Sequence, residues 1–99
     1  MCEHAARGHA PEQKFPFGQV VATRNAVDTI PNEEILNALR RHGRGDWGTL
    51  DPEDWNENER SLVTGDRLLS AYYSARNVKF WIITESDRSV TTVLLPEDY

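Results

Sequence analysis

Cysteine is almost absent from this chain: Cys2 is the only one in 99 residues, so no disulfide can form within it. A fold held by packing rather than by cross-links suits a reducing compartment. Long apolar runs are missing too. None approaches the roughly 18–20 residues that a membrane helix requires, and the opening stretch MCEHAARGHAPEQK is too polar for the apolar part of a secretion signal. A cytoplasmic protein with no membrane segment is therefore expected. Basic charge is in deficit, with 11 Lys and Arg against 16 Asp and Glu and a formal charge of −5. Such a molecule repels a phosphate backbone, which disfavours direct nucleic-acid binding and favours a protein partner of basic character. Internal repeats and low-complexity tracts are also lacking.

What is present fits one domain with one small core, since 38% of the residues are hydrophobic. Residues 1–14 are small and polar without periodicity, and are read as a disordered arm. Residues 15–99 then form a single α+β domain. Gln19 to Thr23 is rich in β-branched residues and, lying just after Pro16 and Gly18, reads as a strand at a sheet edge. Pro31 suits a first helical position, Glu33 and Glu34 the first turn, and Arg40 and Arg41 the last, with Gly43 as the stop. Ile35, Leu36 and Leu39 give that helix one narrow apolar stripe. Asn25 to Thr29 adds a preliminary helical turn.

A second helix starts at Asp51-Pro52, with Asp51 as cap and Pro52 at the first position, and runs to about Val63. From Asp66 the period changes to two. RLLSAYYS, VKFWIIT and SVTTVLL are strand-like runs separated by links short enough for hairpins, which predicts a C-terminal three-strand antiparallel meander. Phe80 and Ile82 face one way and Trp81 and Ile83 the other, so the middle strand is central, with its neighbours nearer the edges. The expected architecture is two helices packed on an antiparallel sheet.

Candidate sites are few. Cys2, His4 and His9 are metal-compatible, but their spacing matches no zinc pattern and a fourth ligand is lacking, so neither a metal nor a cofactor is expected. The link Gly43-Arg44-Gly45-Asp46-Trp47-Gly48 lacks the Lys-Ser/Thr of a phosphate loop and follows a helix rather than a strand. It reads as a bend, with Trp47 plugging the core beneath it. His42, in a helix's last turn, is explained by the favourable placing of positive charge there. Asp51, Glu53, Asp54, Glu57 and Glu59 make the second helix acidic and, with Trp47 beside them, form a candidate binding surface. The turn in WIITESDRSVTTVLL has two readings. Ser86 and Asp87 are ordinary turn formers, with Arg88 in a surface pair to Glu85 or Asp87. Alternatively Arg67, Glu85, Asp87 and Arg88, with the hydroxyls of Ser89, Thr91 and Thr92 on the same surface, supply carboxylates and guanidinium groups for proton transfer beside an oxyanion.

The segments HGRGDWG, GDRLLSAY and WIITESDRSVTTVLLPEDY resemble those of a family of small uncharacterised bacterial proteins carried on plasmids and other mobile elements. The resemblance covers roughly residues 17–99 and implies a mobile-element context, with no catalytic residue. Residues 66–95 also resemble, more faintly, the barnase-like and RelE-like ribonuclease folds, in which Arg67 would match a phosphate-binding arginine. Arg88 then stands where those enzymes often have histidine, and an arginine cannot serve as a general acid at neutral pH. The expectation that follows is an acidic interaction protein acting on a protein partner, with mimicry of DNA against a host nuclease as one form. The alternative is a small ribonuclease or phosphotransfer enzyme.

Overall fold

The computed structural model describes residues 13–99. The arm expected over 1–14 and the ligand types Cys2, His4 and His9 fall almost wholly outside the described residues. Gln13 and Lys14 do not: the Lys14 amide donates to Gly43 O at 2.7 Å, which ties the chain to the fold before Phe15.

The elements are β1 (Gln19–Ala22), α1 (Arg24–Thr29), α2 (Asn32–Gly43), α3 (Pro52–Thr64), β2 (Leu68–Tyr73), β3 (Lys79–Thr84), β4 (Val90–Leu94) and a final 3-10 turn, Pro96–Asp98. The α+β class and the β2-β3-β4 meander match the sequence reading, α1 is the helical turn expected over Asn25 to Thr29, and the sheet differs in being mixed rather than wholly antiparallel. There are three helices, because Thr23 caps α1 by accepting the Ala26 amide at 3.1 Å. Ile30, preceding Pro31, is extended and ends it. The sheet is mixed, in the order β1-β4-β3-β2, with β1 parallel to β4. β4 is thus internal rather than near an edge.

The ends of α2 and α3 follow their local chemistry. Glu33 and Glu34 sit in the first turn of α2, and Arg40, Arg41 and His42 in its last. Gly43 is still helical, and the left-handed residue comes later, at Gly45 with φ 85°. Asp51 Oδ1 accepts the Asp54 amide at 2.9 Å to open α3, and Gly65 at φ 82° closes it.

One face of the sheet is covered. Ala26 and Ile30 of α1, Ile35, Ala38 and Leu39 of α2, and Tyr72, Phe80, Ile82 and Val93 of the sheet form the main core. Phe15, Trp47 and Leu68 form a second cluster, with Leu50, Trp55 and Leu62 packed against it. Leu68 lies on the same sheet face as Ile82 and Val93, so both clusters sit on the helix side. The thinnest extent of the molecule is 20 Å, enough for two layers and not three.

The edge at β2 is sealed. Asn58 of α3 donates to Leu69 O at 2.6 Å and accepts the Leu69 amide at 3.2 Å. Beyond it, Ala71 N donates to Trp47 O at 3.2 Å, and Ala71 O accepts the Thr49 amide at 2.8 Å. Gly48, at φ 80°, makes that approach possible: a Cβ there would stand 1.8 Å from Ala71 O.

Candidate functional site

The four residues of the proposed catalytic turn make no ion pair with one another among the described residues. Arg88, in the left-handed region at φ 60°, does not pair with a carboxylate. Its Nη1 donates to Asp66 O at 2.8 Å, Glu85 O at 3.1 Å and Ser86 O at 3.4 Å, and its Nη2 to Ser61 O at 3.2 Å. Half-buried over the Phe15 ring at 5.7 Å, this guanidinium fastens the β3–β4 turn to the end of α3. A group whose two terminal nitrogens are both bonded to backbone carbonyls is a structural clamp. Arg88→Ala is therefore expected to cost about 1.5–3 kcal/mol, the scale of hydrogen bonds to a charged group. A loss of that size is more than a hairpin-tip surface pair would give. Urea denaturation checks this, and a loss under about 0.5 kcal/mol would return Arg88 to the surface-pair reading.

Asp87 Oδ1 accepts from Ser89 N at 3.0 Å and Ser89 Oγ at 2.6 Å, and these bonds hold its carboxyl below the usual range. It is a turn former. The hydroxyls do not share one surface either, since Thr91 is fully buried on the helix side while Thr92 points to the opposite face. Among the described residues the only side-chain ion pairs are Arg41 with Asp46 and Arg60 with Glu57. Glu85 and Arg67 stand on the exposed surface and make neither.

His42 is not the exposed dipole partner that its position in the last turn suggested. It is fully buried among Phe15, Phe17 and Trp47, with ring centroids 5.2 to 5.9 Å away. Its Nδ1 lies 2.5 Å from Ser70 Oγ and its Nε2 2.9 Å from Thr84 Oγ1. Thr84 Oγ1 is 2.8 Å from Thr91 Oγ1, which donates to Phe17 O at 2.8 Å. The donors can be followed backwards along this chain. Thr91 has spent its hydrogen on Phe17, so Thr84 donates to Thr91, and Nε2–H donates to Thr84. Nδ1 then carries the lone pair and accepts from Ser70. The ring is neutral: burial first, and the positive Arg88 second, push its pKa down to about 3. Closed from solvent with both nitrogens engaged, it cannot reach a substrate. Among the described residues no buried side-chain nitrogen or oxygen lacks a partner, so none marks a missing ligand.

The proposed binding residues divide in the same way. Trp47 is fully buried and so is not a contact surface; its indole N–H donates to Glu59 at 2.8 Å. Asp51 is the cap of α3. Glu53, Asp54, Glu57 and Glu59 are the exposed acids of the helix, Glu59 accepting the Trp47 indole N–H.

Asp54 and Glu57 meet the uncovered face of the sheet. A groove of about 250 Å³ beside β2 is lined by Leu50, Asp54, Glu57, Asn58, Arg67 and Leu69. The β register extends that lining across the sheet. Val21, Thr92, Ile83 and Leu69 form one row, and Leu94, Trp81 and Ala71 the next. Trp81 is half-buried here rather than set in a covered core. Tyr99 meets it edge-on at 5.9 Å and accepts from Arg67 Nη1 at 2.9 Å. Trp81 and Arg67 are two rows apart, so the tyrosine bridging them crosses the row of Ile83, which explains why Ile83 is only 3% exposed without a helix above it. Tyr73, 49% exposed, continues the aromatic surface, with Lys79 Nζ 6.0 Å from its ring centre. Two signals for this surface were visible in the sequence, the apolar residues on both faces of β3 and the acids of α3, but not their adjacency.

Among the described residues no helix is long and apolar enough to cross a membrane. No family model, curated protein or solved structure matches this chain.

Proposed function

We propose that this protein acts by binding another protein through the helix-free face of its sheet, by the side chains left exposed around its buried centre of Ala71, Ile83 and Leu94. The observation that carries the reading is the asymmetry of the two layers. Helices cover one face, and the other concentrates Trp81, Tyr99, Tyr73 and Arg67, the residue types that dominate binding energy at protein interfaces. Asp54 and Glu57 stand beside that patch and select a partner with an apolar centre and a basic rim. The mobile-element setting and the mimicry of DNA rest on the sequence resemblance and on the net charge of −5. The enzymatic alternative has less support, because Arg88 is spent on carbonyls, His42 is sealed, and Arg67 stacks on Tyr99 at 5.7 Å.

The test uses a partner captured from a bacterial lysate and then purified. Trp81→Ala and Arg67→Ala should each weaken its binding on the order of 30-fold, the effect of losing a hot-spot contact of about 2 kcal/mol. Glu57→Lys should weaken it less and change its salt dependence, while Glu33→Lys at the far layer should leave it unchanged. Equal affinity in all four variants would remove the sheet face from the interface. RNA cleavage by the wild type, abolished in Arg67→Ala, would establish the enzyme instead.

A further inference from the structure

The two edges of the sheet are treated differently. At β2 the outward backbone groups of Leu69 and Ala71 are taken up by Asn58 and by residues 47–49. At β1 they are not. Gln19 N donates to Ser89 O at 2.9 Å and Thr23 N to Val93 O at 2.9 Å, so the odd-numbered residues of this strand turn their backbone toward β4. By the alternation of a strand, Val20 and Ala22 point their N–H and C=O groups outward. No hydrogen bond to these four groups occurs among the described residues.

Among the described residues no side chain guards this edge. Natural edge strands carry a lysine, a proline, a bulge or an inward charge against unwanted pairing. Gln19–Ala22 has none of these and is protected only by its length of four residues, and Val20 and Val21 are 45% and 38% exposed. The inner face of the following helix is spent on the core, where Ala26 and Ile30 of α1 bury with Val93 of β4.

We infer that β1 is a homodimerisation edge, pairing antiparallel with β1 of a second copy about a twofold axis through Val21. The choice of occupant follows from symmetry and charge. An axis at Val21 sets Val20 opposite Ala22 of the other copy, and both present outward backbone groups. Their N–H and C=O groups then exchange two hydrogen bonds at each of the two equivalent pairs, satisfying all eight groups of the two strands. An uncharged strand meets its own copy without repulsion and offers a charged partner nothing to recognise. The product is an eight-stranded sheet with β1 at its centre. The two uncovered faces become one continuous surface, with Val21 against Val21 in the middle.

This register is directly testable on the full chain in a Cys2→Ser background. Val21 would occupy a non-hydrogen-bonded pair, where Cα atoms stand about 4.5 Å apart, within the range a disulfide spans. Val21→Cys should therefore cross-link into a covalent dimer under mild oxidation. Val20→Cys should cross-link far less, because its nearest copy lies on the diagonal, about 7–8 Å away. In sedimentation, Val21→Lys should weaken the dimer on the order of tenfold or more, through like charges placed opposite each other. Trp81→Ala should leave the dimer intact, which separates this result from failure of the proposed partner surface. A full chain that stays monomeric at millimolar concentration overturns the inference, whatever else covers the edge. So does a dimer that cross-links equally at Val20 and Val21.

Discussion

Trp47→Ala is expected to destabilise the protein by about 3–5 kcal/mol, the range for emptying a fully buried tryptophan site. The indole has no exposed surface and packs against Phe15 at 6.2 Å, nearly parallel, and against His42 at 5.6 Å, edge-on. Phe15, His42 and Leu68 of the same cluster come from three separate segments of chain, so the gap left by alanine cannot close by movement of one side chain. The hydrogen bond to Glu59 contributes less. Glu59 is an exposed carboxylate that water resolvates once the indole is gone. Trp47→Phe should accordingly recover most of the loss. Urea denaturation of both variants checks the ranking. A cost under about 1 kcal/mol for Trp47→Ala would mean that residues 44–50 repack around the gap. The same segment seals the β2 edge, so the alanine variant should also aggregate more readily than its stability alone explains.

How far the fold was legible depended on the range of the interactions that build it. The starts of α2 and α3 are written locally, in Pro31 with Glu33 and Glu34 and in Asp51 with Pro52, and both helices form close to the expected positions. The meander is also local, since each hairpin brings together runs that follow one another. The pairing of β1 with β4 is not: Gln19 meets Val90, and no turn residue announces a parallel neighbour so distant in the chain. The short run Gln19–Ala22 shows a strand but not its direction.

The candidate site was legible as a list of residue types and not as an arrangement. Arg88 reads as a turn arginine until Ser61 and Asp66 arrive from other elements to occupy it. Thr91 and Thr92 are adjacent in sequence, yet the strand sends them to opposite faces, one sealed and one open. Asp54, Glu57 and Arg67 belonged to competing hypotheses in the sequence, and the fold places them around one groove.

His42 should give the protein its steepest loss of stability in mildly acidic solution. In the unfolded chain this imidazole takes up a proton near pH 6.5, whereas in the fold burial and Arg88 hold its pKa down to about 3. Between those values the unfolded state binds one more proton than the native state. Stability is then complete above about pH 6.5 and falls by about 1.4 kcal/mol for each pH unit below it, until the folded pKa is reached. Asp46, Asp87 and Asp98 have lowered pKa values, so their contributions also vanish in acid, but only below the ordinary carboxylate range. The interval from pH 6.5 to about 4.5 therefore isolates the histidine. Ser70 and Thr84 hold the ring through an acceptor at Nδ1 and a donor at Nε2, a pattern that a neutral amide reproduces in part. His42→Gln is thus expected to be less stable than wild type at pH 7.5, from imperfect packing among Phe15, Phe17 and Trp47, and nearly independent of pH across that interval. Urea midpoints measured in half-unit steps of pH for both proteins check the difference in slope. An equally steep decline in His42→Gln would assign the acid sensitivity to other groups. A flat wild-type profile would mean that the buried imidazole accepts its proton in place, with Ser70 turning to receive the new Nδ1–H.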